Sequence, residues 1–161
     1  MNQSVMASPV GRLLLGARDG KLVMVKVLGA DERPGVPCAE DPVLDMTREQ
    51  LAQYFSGEQA TFDLPIAMQG TAFEMAVWKQ LCEIPFGETM SYGQLAKILG
   101  KPSAARAVGR ACSRNPLLIV VPCHRVMASS GRLTGFAGGM AAKRTLLVHE
   151  GHTIANDCIT E

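Results

Sequence analysis

The net charge of this 161-residue chain changes sign near its middle. Residues 1–70 carry six basic and nine acidic side chains, whereas residues 71–161 carry ten basic and six acidic ones. The change coincides with a polar stretch, Met68-Gln69-Gly70, of the kind that links domains. The chain is long enough for two small domains, each with its own core. We therefore predict an N-terminal domain over residues 1–70 and a C-terminal domain over residues 71–161.

The C-terminal half contains a long basic interval. Between Glu88 and Glu150, nine Lys or Arg residues occur without one acidic residue. Such an interval is typical of a polyanion-binding surface, because a basic face without a ligand usually has carboxylates among its cations. A merely solvated basic face remains the alternative.

The composition limits the class of protein. Hydrophobic residues make up 47% and charged residues 19% of the chain, as in a folded domain. There is no apolar run of about 18 residues and no signal-peptide core, so we expect no membrane association and a cytoplasmic location, or a nuclear one in a eukaryote. The five cysteines include no C-x-x-C pair, and residues 1–37 contain neither Cys nor His. We therefore predict free thiols, no metal and no cofactor.

The N-terminal half predicts a small antiparallel sheet with one helix. Three short strands, with the hairpin signal Asp19-Gly20 between the last two, are predicted over residues 4–7, 12–17 and 21–28. After a loop rich in proline, Thr47-x-x-Gln50 is a capping box for a helix that ends at Gly57. A further edge strand, interrupted by Pro65, is predicted over residues 62–67.

The C-terminal half predicts several short helices. Two of them begin at the capping boxes Thr71-x-x-Glu74 and Ser91-x-x-Gln94, and Leu95, Ile98 and Leu99 are expected to bury the second. A last helix is predicted over residues 140–149, capped by Gly151, and the residues that follow are expected to form a loosely held tail.

A third helix follows the turn Gly100-Lys101-Pro102, with Ser103 as its predicted cap, and runs to about Arg114. Its arginines at positions 106, 110 and 114 share one face, opposite a stripe of small apolar residues. Two short helices joined by a tight turn are the sequence pattern of a helix-turn-helix. Plain helix packing is the alternative, but three arginines on the free face favour contact with DNA.

The apolar run 117–121 predicts a buried strand that leads through Pro122 to Cys123, His124 and Arg125. A thiolate is the strongest nucleophile among ordinary side chains, and neighbouring cationic or imidazole groups increase its population by lowering its pKa. Cys123 is therefore the candidate for the reacting atom. The alternative is an inert buried cysteine beside a surface histidine.

Several motifs together resemble one known family. They are Ser91-Tyr92-x-x-Leu95-Ala96, Ala104-Ala105-Arg106-Ala107-Val108-Gly109, Asn115-Pro116, Pro122-Cys123-His124-Arg125-Val126, Gly138-Gly139 and His149-Glu150-Gly151. In this order and spacing, residues 71–151 resemble the C-terminal domain of the O6-alkylguanine-DNA alkyltransferases. The resemblance implies an α+β fold in two domains: a small ribonuclease-H-like sheet with a helix, then a mostly helical domain with a winged-helix-like helix-turn-helix.

The resemblance implies an irreversible repair reaction that occurs once per molecule. An alkyl group would move from guanine O6, with thymine O4 as a further substrate, to Cys123. Because successive side chains of an extended segment point to opposite faces, His124 would take the thiol proton through a bridging water, and Glu150 would orient His124. Tyr92 would supply a proton or hydrogen bond to the guanine ring nitrogen, and Asn115 would hold the cysteine loop as a hinge.

The resemblance also implies that a monomer binds duplex DNA through the minor groove and flips the damaged nucleotide into a pocket. Arg106 would fill the vacancy left in the duplex. The other expected DNA-binding residues are Thr89, Ser91, Lys101, Ala105, Gly109, Arg110 and Arg125. The expected pocket residues are Val126, Phe136, Ala137 and Gly138.

Two features qualify these expectations. Many family members have tyrosine-serine where this chain has Phe136-Ala137, so a side-chain hydroxyl near guanine O6 is missing, although the Ala137 N–H can still donate. Three rival functions also remain: a non-enzymatic binder of alkylated DNA, which Cys123 argues against; a cysteine hydrolase, which needs an oxyanion hole; and a redox-sensing repressor, which needs a resolving cysteine.

Overall fold

The chain forms two structural units in this computed structural model, which describes residues 1–160. The first unit contains Met1–Met68 together with Pro116–Val120. The second contains Gln69–Asn115 and residues 121–160. The short segment 116–120 thus belongs to the first unit, although in sequence it lies between the two parts of the second.

The core of the first unit is a three-stranded antiparallel sheet in the order β1 (Asn2–Met6), β2 (Leu13–Arg18) and β3 (Lys21–Val27). The central strand β2 is almost wholly buried, since the helix α1 (Pro42–Ser56) packs on this sheet. Between β2 and β3, Asp19 and Gly20 have φ values of 52° and 73°, as in a type I′ turn. The predicted strands and their hairpin are therefore confirmed.

Two predictions in the first unit are wrong. Helix α1 begins at Pro42, because Asp41 caps it by accepting the N–H of Val43 at 2.9 Å and proline suits the first helical position. The proposed cap, Thr47, lies inside the helix and donates its hydroxyl to the Val43 carbonyl. The segment 62–67 makes only an isolated bridge between Ile66 and Leu22, since Pro65 has no N–H for a continuous ladder.

The second unit is mostly helical, as predicted. Its helices are α2 (Ala72–Leu81), α3 (Tyr92–Ile98), α4 (Ala105–Ser113) and α5 (Met140–His149), and two residue pairs form a short parallel sheet, β4 (Met90–Ser91) with β5 (Val126–Met127). The capping boxes at Thr71 and Ser91 are both present. Helices α3 and α4 pack against each other, as a helix-turn-helix requires, and buried Trp78 donates its Nε1–H to the Ala111 carbonyl at 2.8 Å.

Two predictions in the helix-turn-helix are wrong. Ser103 does not cap α4, whose N-cap is Ala104 and has no side-chain hydrogen bond. Ile98, expected in the core, is 53% exposed, because Leu95 and Ala96 form the buried side of α3.

The C-terminal segment is an ordered hairpin, so the prediction of a loose tail is wrong. Strands β6 (Thr153–Ala155) and β7 (Cys158–Thr160) pair through a turn in which Asn156 and Asp157 have positive φ. The hairpin is held because Ile154 and Ile159 pack on a cluster of Met127, Leu133 and Leu147. The last predicted residue of the tail, 161, lies outside the described residues.

Gly151 ends α5 as predicted. Its φ is 98°, its N–H reaches the Val148 carbonyl, and the N–H of His152 reaches that of Leu147, which is a Schellman ending. Among residues 1–160, no helix has the length and apolar character to cross a membrane.

The cap of α2 gives a test of the local folding signals. Thr71→Ala removes the acceptor for the Glu74 N–H, so we expect a loss of about 1 kcal/mol in the free energy of unfolding, measured with urea. The matched control, Thr71→Ser, keeps the hydroxyl and should stay close to the parent chain. Equal stability of the two variants would show that the cap contributes nothing.

Candidate active site

The chain reaches Cys123 through two tight turns, so the predicted strand is wrong. The Val120 N–H binds the Leu118 carbonyl at 2.8 Å across Ile119, whose φ of 73° is unusual for a β-branched residue. This is a strained γ-turn. The Cys123 N–H likewise binds the Val121 carbonyl at 2.8 Å across Pro122, which has the φ of −83° and ψ of 64° of an inverse γ-turn.

Residues Cys123–Arg125 then form one turn of 3-10 helix. Cys123 and His124 therefore do not alternate across an extended strand, so the strand geometry expected from the sequence does not separate their side chains. The turn is fixed by the Arg125 N–H, which binds the Pro122 carbonyl at 3.1 Å, and by Asn115, whose Nδ2 donates to the Val121 carbonyl at 2.7 Å. Asn115 is buried and thus ties the two parts of the second unit together just before the cysteine.

Cys123 is a buried thiol, not a preformed thiolate. Only 4% of the residue is exposed, and burial raises its pKa to about 11, although a hydrogen bond from Asn115 and the charge of Lys143 act in the opposite direction. The expected lowering of the pKa by neighbouring groups is thus outweighed by desolvation. At neutral pH a reaction of this sulfur requires a base.

His124 is the base that the structure offers. It is fully buried, and its Nε2 lies 2.7 Å from Oε2 of Glu150. A carboxylate only accepts, so Nε2 carries the hydrogen, and in the neutral ring Nδ1 is left as an acceptor. Burial lowers the pKa of His124 despite the Glu150 carboxylate, so the ring is neutral at pH 7. Nδ1 has no hydrogen-bond partner among residues 1–160.

Arg125 holds Glu150 in place from the other side. Its Nε donates to Oε1 at 2.7 Å and its Nη2 to Oε2 at 3.0 Å, while Nη1 donates to the Ile84 carbonyl at 2.6 Å. Arg125 is only 5% exposed and its guanidinium is taken up by these contacts, which argues against its predicted role in DNA binding. Sequence reasoning missed this because a guanidinium in a basic interval looks like a surface cation until its buried carboxylate is known.

The second unit contains a cavity of about 710 Å³. Of the predicted site residues it is lined by Tyr92, Ala105, Arg106, Gly109, Arg110, Phe136 and Ala137, with Ser113, Thr134 and Gly135 completing it. Cys123, Val126 and Gly138 are not among the described residues that line it. Val126 is fully buried in β5, so it supports the site from within.

Tyr92 is fixed in the wall of the cavity. Its hydroxyl lies 2.6 Å from Oγ1 of Thr134 in the cavity wall. Burial raises the pKa of Tyr92, although the hydrogen bond with Thr134 acts in the opposite direction, so the phenol keeps its proton at neutral pH. Gly109 lies against the ring of Tyr92, and a Cβ at that position would meet its carbons at an ordinary contact distance of 3.8 Å.

The expected DNA-binding residues are on the surface, except Arg125. Arg106, Arg110 and Arg114 are exposed, but Arg114 pairs with Glu74 at 3.0 Å. Lys101 is exposed, with its Nζ 5.1 Å from the centre of the Phe73 ring. Thr89 and Ser91 are half-buried, and Ser91 uses its oxygen as the cap of α3. Because Arg125 is buried and Arg114 is paired with Glu74, the exposed basic surface has fewer available cations than the sequence interval contains.

Two further site residues were missed by sequence reasoning. Thr134 had no motif to mark it. Lys143 was counted as a surface cation, yet it is 1% exposed and donates to the Val126 carbonyl at 2.8 Å. A signal did exist, because Lys143 shares the helical spacing of buried Leu146, Leu147 and Glu150.

Both halves of the chain match known family models. Residues 72–152 match the DNA binding domain of 6-O-methylguanine DNA methyltransferase, and residues 1–68 match its ribonuclease-like domain. The chain is 43% identical over 154 residues to a methylated-DNA–protein-cysteine methyltransferase of Methanosarcina acetivorans, covering 94% of this chain and 99% of that one. It is 44% identical over 142 residues to one from Mycobacterium tuberculosis strain H37Rv, covering 87% and 86%.

Solved structures give the same result. The O6-methylguanine methyltransferase of M. tuberculosis is similar at 41% identity and a TM-score of 0.85, over 97% of this chain and 96% of that one. M. tuberculosis OGT in complex with DNA is similar at 42% identity and a TM-score of 0.84, over 93% and 92%.

The buried position of Arg125 gives a stability test. Arg125→Met would leave the Glu150 carboxylate without its bidentate partner in the interior, so we expect the free energy of unfolding to fall by about 3–5 kcal/mol in urea titrations. Arg132→Met, which removes an exposed arginine, should change it by less than about 0.5 kcal/mol. Similar small losses in both variants would show that the Arg125–Glu150 pair contributes little to stability.

Proposed function

We propose that Cys123 is the methyl acceptor of this chain, which belongs to the 6-O-methylguanine DNA methyltransferase family. The chain is a methylated-DNA–protein-cysteine methyltransferase that repairs O6-methylguanine in DNA. The observation that supports Cys123 best is its position directly before a buried His124, whose tautomer is set by Glu150 and whose Nδ1 remains an acceptor. This is the arrangement of nucleophile, base and orienting carboxylate.

In the proposed reaction the thiol first loses its proton. The proton passes through a bridging water to Nδ1 of His124, and Glu150 stabilises the imidazolium that forms. The carboxylate can do this because Arg125 donates to both of its oxygens and fixes it in the interior. Burial then helps the nucleophile, since a desolvated thiolate reacts without first shedding a water shell.

The thiolate attacks the methyl carbon in line with the bond to guanine O6. The sulfur–carbon bond forms as the carbon–oxygen bond breaks, and the electron pair remains on guanine. Tyr92 donates a proton toward the ring nitrogen of the leaving guanine, and the proton first taken from Cys123 returns through His124 and solvent to the phenolate. The net change is a thiol and O6-methylguanine converted to a thioether and guanine, so each molecule reacts once.

The cavity is the proposed site of the flipped nucleotide. Tyr92, Phe136 and Ala137 line it, and the Ala137 N–H is the proposed donor to guanine O6 in place of the missing side-chain hydroxyl. Val126 and Gly138, which do not line it, are proposed to support the segments that do.

The same cavity meets the basic face of α4, so the nucleotide enters from the side that faces DNA. We assign Arg106, on its rim, to the vacancy in the duplex. Small Ala105 and Gly109 allow the helix to approach the minor groove, and phosphate contacts come from Thr89, Ser91, Lys101 and Arg110. A monomer suffices, because every group named for the reaction belongs to the second unit. Residues 1–70 act as structural support and residues 71–161 carry the chemistry.

Mapping the modified residue tests the acceptor. After incubation with duplex DNA that contains O6-methylguanine, the Cys123 peptide should gain one methyl group, saturating at one per protein molecule by mass spectrometry. Cys123→Ser should abolish the transfer, because a hydroxyl is a far weaker nucleophile at neutral pH. Cys112→Ser, which changes another buried thiol, is the matched control and should retain it. Methylation of Cys38 or Cys158 would disprove the assignment.

Comparing substrates tests Arg106. Arg106→Ala should slow repair of duplex DNA by at least about tenfold, because the flipped state loses a contact that offsets a few kcal/mol of unstacking. Its reaction with free O6-methylguanine base should be almost unchanged. Arg114→Ala removes an exposed arginine of the same helix that is already paired with Glu74, so it should have the smaller effect on duplex. Equal losses for Arg106→Ala on both substrates would exclude the role in flipping.

A further inference from the structure

Lys143 is the buried charged group that the proposed reaction has not yet used. It lies on α5 and is 1% exposed, and among residues 1–160 no carboxylate forms an ion pair with its ammonium group. Burial of a cation without an anion is costly, and lysine is rarely found fully buried unless it is paired. The position of this lysine therefore needs a compensating reason.

The contacts of the ammonium group join two parts of the site. Nζ donates to the Val126 carbonyl at 2.8 Å, in the strand that directly follows the Cys123–Arg125 turn. Nζ also lies 3.4 Å from the carbonyl of Thr134, whose hydroxyl binds Tyr92 in the cavity wall. One side chain thus links the segment of the nucleophile to the wall that contacts the substrate.

Among the titratable groups that act on Cys123, Lys143 is the buried cation. Cys112 on α4 and Tyr92 on α3 are neutral at pH 7, since burial raises the pKa of both, to about 12 for Cys112. His124 in the same turn is neutral because burial lowers its pKa. The charge of Lys143 acts on both Cys123 and Cys112, in the direction that favours a thiolate. Burial lowers the pKa of Lys143 itself, whereas an ionised Cys123 or Cys112 would raise it, so a thiolate that forms at Cys123 would stabilise the ammonium group.

We propose that Lys143 is a positioning residue of the transfer reaction: its ammonium group ties the Cys123 segment to the Thr134 wall and offsets the negative charge that forms at Cys123 Sγ. The inference rests on the proposed function of Cys123. Lys143 exchanges no proton in it. The thiol proton still passes to His124, the sulfur–methyl bond forms as the methyl–oxygen bond breaks, and the positive charge of Lys143 remains in place throughout.

The thiolate population can be measured without DNA. Methyl methanethiosulfonate is small and reacts with thiolates, forming a sulfur–sulfur bond and releasing methanesulfinate. The rate at the Cys123 peptide, divided by the rate at exposed Cys38, reports the ionisation of Cys123 as a function of pH. Lys143→Gln keeps an N–H donor for the two carbonyls but removes the charge, whereas Lys143→Arg keeps the charge.

We expect Lys143→Gln to lower the relative labelling of Cys123 by about tenfold at pH 8, because loss of a nearby opposite charge raises a thiol pKa by about one unit. The rise of the rate with pH should move to higher pH by the same amount, and methyl transfer should slow by a similar factor. Lys143→Arg should recover most of the loss. Arg144→Gln, which removes the next cation on the same helix, at an exposed position, should leave labelling unchanged.

Unchanged relative labelling and an unchanged pH profile in Lys143→Gln would overturn the proposal, even if methyl transfer slowed through lost stability. Lys143→Met, a second neutral variant, carries the same comparison if the glutamine variant does not fold. A failure of the parent chain to take methyl from DNA would instead overturn the role of Cys123 in repair. The two failures are separable, since the labelling assay needs no substrate.

Discussion

The second unit depends on one buried arrangement of charge, in which Arg125 and His124 hold the Glu150 carboxylate between them. Each of these ionisable groups would be costly in the interior alone. Together they satisfy both carboxylate oxygens and fix the tautomer of the imidazole. Because Glu150 is the C-cap of α5, the array also ties the end of that helix to the turn that carries the cysteine. Stability and reactivity therefore depend on the same contacts.

The chemistry at Cys123 is governed by desolvation. A surface cysteine beside cations would be a thiolate at rest, open to oxidants and to chance electrophiles. Here burial keeps the sulfur protonated, with a pKa of about 11, and the base lies in the same buried turn. The proposed nucleophile is thus stored in an unreactive form. In the proposed reaction it becomes a thiolate only when a substrate is in place and the proton has a path to His124.

Local signals predicted much of the fold because they act over a few residues. The capping boxes at Thr71 and Ser91, the Asp19-Gly20 hairpin and the glycine ending of α5 are each decided by backbone geometry within one or two turns. One error was also local. The pair Asp41-Pro42 competed with Thr47 as a helix start and won, because it offers a side-chain cap together with a fixed φ.

From residue type and spacing alone, the sequence predicted a small sheet with a helix followed by a helical unit, and its motifs suggested Cys123, His124 and Glu150 as the proposed nucleophile, base and orienting carboxylate. Only the tertiary structure decided which basic residues remain on the surface. In the sequence, Arg125 and Lys143 belong to an interval predicted to bind DNA, yet both side chains are buried. Arg125 contacts the Glu150 carboxylate, which is distant in sequence, and Lys143 contacts two backbone carbonyls. Two γ-turns around Ile119 and Pro122 are found where a strand was predicted. Whether a charged side chain is exposed or buried depends on partners that are distant in sequence, and a local sequence pattern does not contain those partners.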